Sequence, residues 1–142
     1  MKWKLFNNKV PNALNLMNYV QSEIITTSHV NHQKSPEIVF EKKCKHLTKP
    51  VVTIGICVKN CECSVKDAIE SITIQDFPHE IIELIVVDDG STDRTLSIVL
   101  SLVSKLDLTV KVFHSEWRGL GPARNVVVDN TTGNYIIWLD GD

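Results

Sequence analysis

The sequence predicts an α/β fold with a mostly parallel sheet and helices on both of its faces. Apolar, β-branched runs recur at 51–58, 81–87, 108–113 and 135–139, and stretches with helical spacing lie between them. Parallel neighbours need a crossover of a dozen or more residues, usually a helix, and these separations supply it. The pattern is that of a Rossmann-like half-domain. Its ligands bind beyond the carboxyl ends of the strands, where strand order reverses. The residues that end each strand therefore carry the functional information.

Residues 1–48 differ in texture, being rich in Asn, Lys, Ser and Thr. Leu14, Met17, Val20 or Gln21, and Ile24 have helical spacing, so an amphipathic helix is expected over 12–26, with no chemistry assigned to it. The organised domain is expected over 49–142. The run at 51–58 is almost free of charge, as in a strand buried on both faces. Ser64 and Asp67 form a capping-box-like start, followed by an apolar stripe of Val65, Ala68, Ile69 and Ile72.

Pro78 ends that helix or lies in the loop beyond it, and 81–87 is a second buried strand. Ser91, Thr92 or Asp93 caps a second helix through Leu96, Val99, Leu100 and Val103. Residues 108–113 read as the next strand. Pro122 suits a first helical turn, with the helix continuing to about Asp129. Within it Val126-Val127-Val128 is a poor helix run, and strand is a rival reading. The stretch 130–133 is a stop, and 135–139 is the last strand.

Composition narrows the function. A length of 142 residues suits one core, and 43% hydrophobic with 23% charged residues is a globular balance. A formal charge of -2 provides no polybasic field, so nucleic acid is not an expected partner. No apolar run is long enough to span a bilayer, and residues 1–9 are not followed by the apolar block of a secretory signal. The cytoplasm is the expected compartment, with membrane association of a full-length form left open. Cys57, Cys61 and Cys63 lie close together and Cys44 apart. Cys61-Glu62-Cys63 lacks the two-residue gap of a zinc pair, and reduced thiols are expected.

Two of the four strand ends carry carboxylate pairs. Asp140-Gly141-Asp142 suits a hard divalent ion, since Mg²⁺ or Mn²⁺ takes one or two carboxylates together with substrate phosphate oxygens. A glycine between the acids lets backbone approach a diphosphate. A plain β-turn is the alternative. Asp88-Asp89-Gly90-Ser91-Thr92-Asp93 offers acids to a ribose or a base N–H, or else an Asx turn and helix cap. Arg118 and Arg124 flank a Gly119-Leu120-Gly121-Pro122 turn, where a guanidinium beside a helix start favours phosphate, unless it is simply solvated. The glycines form neither a dinucleotide fingerprint nor a P-loop, which disfavours dehydrogenases and P-loop NTPases.

Taken in order, several landmarks carry a resemblance: Val52-Thr53-Ile54-Gly55-Ile56-Cys57-Val58-Lys59-Asn60, Ser71-Ile72-x-x-Gln75 and Ile85-Val86-Val87-Asp88-Asp89-Gly90-Ser91-Thr92-Asp93. Gly121-Pro122-Ala123-Arg124-Asn125, Gly133-Asn134-Tyr135-Ile136 and Leu139-Asp140-Gly141-Asp142 complete it. The string resembles the family 2 glycosyltransferases, inverting enzymes of GT-A fold, from Val51 to Asp142. The resemblance implies transfer of a sugar from a nucleotide donor to an acceptor hydroxyl on a glycan, lipid or protein. It implies that Cys57, Val58 and Asn60 lie near base and ribose. Asp89 would read the base, with Asp88 supporting the loop. Arg124 would lie near the donor, Asp140 toward ribose and sugar, Gly141 against the nucleotide-sugar, and Asp142 with Asp140 on the Mg²⁺ or Mn²⁺.

Two departures follow. The family often has Pro-Thr-Tyr-Asn where this chain has Cys57-Val58-Lys59-Asn60, which removes an aromatic stacking surface. The family's carboxylate general base is expected beyond residue 142, so no catalytic residue is assigned here, and no turnover is expected from this chain alone. The alternatives are a sugar nucleotidyltransferase relative and a non-catalytic nucleotide-binding or interaction module. The first usually has a Gly-rich, Arg- and Lys-containing loop after the first strand, where this chain has Lys59-Asn60-Cys61-Glu62. The second would bind no nucleotide in a metal-dependent way.

Overall fold

The structure, a computed structural model, describes residues 34–44 and 49–141. The helix expected over 12–26 and the metal role expected of Asp142 lie outside the described residues.

Among the described residues five strands form one sheet in the order β1-β4-β3-β2-β5. They are β1 (Glu37–Lys42), β2 (Val52–Val58), β3 (Ile82–Asp89), β4 (Thr109–Ser115) and β5 (Tyr135–Asp140). The helices are α1 (Val65–Thr73) after β2, α2 (Thr95–Val103) after β3 and α3 (Leu120–Asn130) after β4. Strands β2 to β5 pair in parallel, and β1 runs antiparallel to β4. Among the described residues no helix is long and apolar enough to cross a membrane.

The hydrophobic patterns explain the layering. Every residue of β3 is buried, because this central strand is covered on both faces. Val65, Ile69 and Ile72 of α1 and Val99 and Val103 of α2 pack on Ile56, Val58, Leu84, Val86, Val110 and Val112. On the other face Ala123 and Val127 of α3 meet Ile85, Val87 and Phe113. Burying each such aliphatic side chain contributes about 1.5–3 kcal/mol. The valine run in α3 is therefore helical: Val127 is buried, Val128 is exposed, and tertiary packing outweighs a weak intrinsic preference.

Two local expectations change and a third holds. A strand, β1, lies within the leader, where the sequence reading placed none. Its residues are mostly exposed and its apolar pattern is short, so it takes its order from pairing with β4. Ser64 makes no side-chain cap; its Oγ donates instead to the Gly141 carbonyl at 2.7 Å, drawn there by the turn beyond β5. Asp93 does cap α2, accepting the Thr95 N–H at 2.9 Å.

At the opposite end of the sheet lies a polar cluster that the sequence did not signal. Glu83 is fully buried in β3 and accepts Lys111 Nζ at 3.1 Å, Thr53 Oγ1 at 2.9 Å and the Thr132 N–H at 2.8 Å. Lys111 also donates to the Asn130 carbonyl. These bonds fix the α3–β5 connection, and with it the place where β5 joins β2.

Candidate functional site

The chain builds β2, β3 and β4 outward in one direction, then returns to place β5 on the other side of β2. Strand order thus reverses between β2 and β5, and the crevice opens at their carboxyl ends. Cys57 is in register with Asp140, and Val58 with Asp88. The acids of β3 and β5 therefore flank β2 at one rim. Two strand spacings separate them, about 10 Å.

Among the described residues two adjoining cavities lie at this rim. The larger, about 470 Å³, is lined by Cys57, Val58, Lys59, Cys61, Leu120, Arg124, Asp140 and Gly141. The smaller, about 180 Å³, is lined by Cys57, Val58, Lys59, Asp89, Trp117, Leu120 and Ala123. Cys57, Val58, Lys59 and Leu120 belong to both, so the two are parts of one cleft.

The polar groups of the cleft are held from behind. Asp89, nearly buried, accepts the backbone N–H groups of Arg118 and Gly119, each at 2.8 Å. Asp89 thus holds the β4–α3 loop from the end of β3. Asp88 is fully buried, with Oδ2 2.7 Å from His114 Nδ1, while Oδ1 has no hydrogen-bond partner among the described residues. Neither Asp88 nor Asn60 lines the cleft. Asn60 Oδ1 instead accepts the Thr92 N–H at 2.8 Å, tying the turn after β2 to the turn after β3.

Arg124 lies at the other end. Its Nη2 is 4.0 Å from Asp140 Oδ1, and its guanidinium lies 5.1 Å from the Trp138 ring centroid. Both charged side chains are substantially exposed, so this ion pair is weak and both remain available to a ligand. Arg118 points elsewhere and lines a separate cavity with Pro36 and Phe113. Burial pushes the Cys57 thiol up to about 11, opposed by Arg124 and reinforced by Asp89 and Asp140. Burial also raises the Cys61 thiol. Both line the cleft as neutral groups at neutral pH.

Sequence reasoning missed Lys59, Cys61, Trp117 and Leu120 as lining residues. Each follows a strand or opens a helix at this rim, so the rule that strand ends carry the ligand could have found them. One described carboxylate of the rim is open to a hard divalent ion. Asp140 offers an exposed carboxylate beside a glycine, although among the described residues no three His, Cys, Asp or Glu side chains converge. Mg²⁺ and Mn²⁺ need no such cluster when phosphate supplies the remaining oxygens.

A mostly parallel sheet with helices on both faces and an acidic rim at its reversal point defines the class, a Rossmann-like α/β domain. Comparison with known proteins sets the family: residues 53–142 match Glycosyl transferase family 2, and the chain belongs to it. It is 36% identical over 97 residues to a glycosyltransferase of Haemophilus influenzae, covering 68% of this chain and 38% of that one. It is 37% identical over 83 residues to the poly(ribitol-phosphate) β-N-acetylglucosaminyltransferase TarS of Staphylococcus aureus, covering 58% of this chain and 14% of that one.

Among solved structures, the mannosyltransferase PcManGT of Pyrobaculum calidifontis, in complex with GDP-Man and Mn²⁺, superposes with a TM-score of 0.62 at 30% identity. That match covers 68% of this chain and 28% of that one. TarS 1-349 with UDP-GlcNAc gives 0.58 at 34% identity, covering 65% and 26%. The fold is that of the GT-A glycosyltransferases. The chain spans well under half the length of these relatives.

Proposed function

We propose that this chain binds a nucleotide-sugar donor for inverting glycosyl transfer to an acceptor hydroxyl. The observation that carries this reading is the single cleft running from Asp89 to Arg124 and Asp140 past the end of β2. One extended ligand, base at one end and diphosphate at the other, suits that spread of groups. Asp89 faces the base, Cys57 and Val58 wall the base and ribose, and Arg124 meets the diphosphate. Gly141 lets the backbone approach the ligand, while Asn60 and Asp88 shape the site from behind.

Asp140, together with Asp142, would hold Mg²⁺ or Mn²⁺. Such an ion, when bound, supplies Lewis-acid stabilisation of the departing nucleoside diphosphate. The described carboxylates of the rim are assigned to the donor side, and no proton acceptor for the hydroxyl is assigned among them. The glycosyltransferase domain is taken to begin at β1, upstream of residue 49. Glycan, lipid and protein acceptors all fit this reading.

The test is calorimetric titration with UDP and GDP, the nucleotide parts of the donors held by the two similar proteins, with and without Mn²⁺. Saturable binding that tightens with Mn²⁺ is expected. Binding of neither nucleotide under either condition would sink the reading.

A further inference from the structure

We propose that Trp117 is the stacking platform for the donor's nucleobase, and that Lys59 covers it until the donor's diphosphate draws the ammonium away. The inference rests on the donor-site reading and deepens it.

Trp117 combines a fixed backbone with an open side chain. The next two residues donate their N–H groups to Asp89, and Gly90 packs so closely that a Cβ there would come within 2.6 Å of Trp117 N. Trp117 as a residue is 65% exposed. An exposed aromatic on an immobilised backbone is a ready surface for a flat ligand, since little conformational freedom is lost when it binds. Any base stacks on such a face, whichever its hydrogen-bonding edge.

One face of the indole already carries a cation. Lys59 Nζ lies 4.5 Å from the ring centroid, a cation–π contact that is weak at an exposed site. Among the described residues Lys59 is also the one cation that lines both parts of the cleft, with Trp117 and Asp89 in the smaller part and Arg124 and Asp140 in the larger. A base entering the smaller part meets the indole that the ammonium covers. The diphosphate of the same ligand offers that ammonium a stronger partner in the larger part. No bond is made or broken; the lysine exchanges a π face for phosphate oxygens.

The experiment titrates the full chain with UDP and GDP, and separately with uridine and guanosine, which carry the base without phosphate. Trp117→Ala should weaken all four by about tenfold, and Trp117→Phe should restore most of the affinity. Lys59→Met should weaken the diphosphates several-fold while leaving the nucleosides unchanged or tighter. Thermal melts within a few degrees of the parent check that the variants fold, as expected for exposed side chains. Trp117→Ala within twofold of the parent for the diphosphates overturns the platform, and an equal Lys59→Met loss for nucleosides and diphosphates overturns the handover. A parent chain that binds none of the four removes the donor site along with both.

Discussion

Asp89 Oδ2 accepts the backbone N–H of Gly119 at 2.8 Å, joining the end of β3 to the start of α3 across thirty residues of sequence. Asp89 Oδ1 takes the neighbouring Arg118 N–H. A carboxylate with two backbone donors is satisfied without a cation, so the acid is stable at the rim before any ligand arrives. Asp89→Asn turns one acceptor into a donor facing an N–H. A loss of about 1–3 kcal/mol is expected, read as a lower urea midpoint at constant slope. An unchanged midpoint would mean that the loop is held by other contacts.

Gly90 has φ of 75°, and a Cβ would lie 2.6 Å from the Trp117 backbone nitrogen. Gly90→Ala therefore meets both a left-handed backbone and a contact that only backbone movement relieves. We expect a cost of about 2 kcal/mol or more, with weaker nucleotide binding as the loop shifts. Thermal unfolding and a nucleotide titration of the same sample would check both effects.

The Glu83 cluster makes stability depend on pH. Burial opposes ionisation of Glu83, but the Thr132 N–H, Lys111 and Thr53 outweigh it and hold the carboxyl below its ordinary 4.5. The unfolded chain then takes up this proton first, so the contribution is complete above about pH 4.5 and fades as pH falls below it. Glu83→Gln should flatten the acid limb of the stability curve. Lys111→Met, which leaves a buried charge unpaired, should cost about 3–5 kcal/mol at neutral pH.

Arg124 separates binding from stability. Its ion pair with Asp140 is exposed, so Arg124→Gln should change the unfolding free energy by less than about 1 kcal/mol. The same change should weaken UDP or GDP by about tenfold through loss of a charge-assisted contact. Equal affinity in parent and variant would remove Arg124 from the site.

Much of the framework was legible because it is local. β2, β3 and β4 are short apolar runs, and their helices carry clear stripes. What escaped depends on partners distant in sequence. The β1 run reads as charged and short, and only pairing with β4 makes it a strand. Glu83 reads as an interruption in an apolar run until Lys111 arrives beside it from β4. Strand alternation does not specify that β5 returns beside β2, yet that return brings Asp140 level with Cys57. Trp117 carries no motif, and its place over the cleft follows from the bonds that Asp89 makes to the two residues after it.

The most direct test uses Mn²⁺ as a paramagnetic probe on the isotopically labelled chain in the presence of UDP or GDP. If one ligand bridges the rim, trace Mn²⁺ should first erase the amide signals of Asp140 and Gly141, then those of Cys57 and Val58. Erasure centred elsewhere on the chain, or the same pattern without nucleotide and with nucleotide alike, would contradict a metal-bridged donor at the β2–β5 crevice.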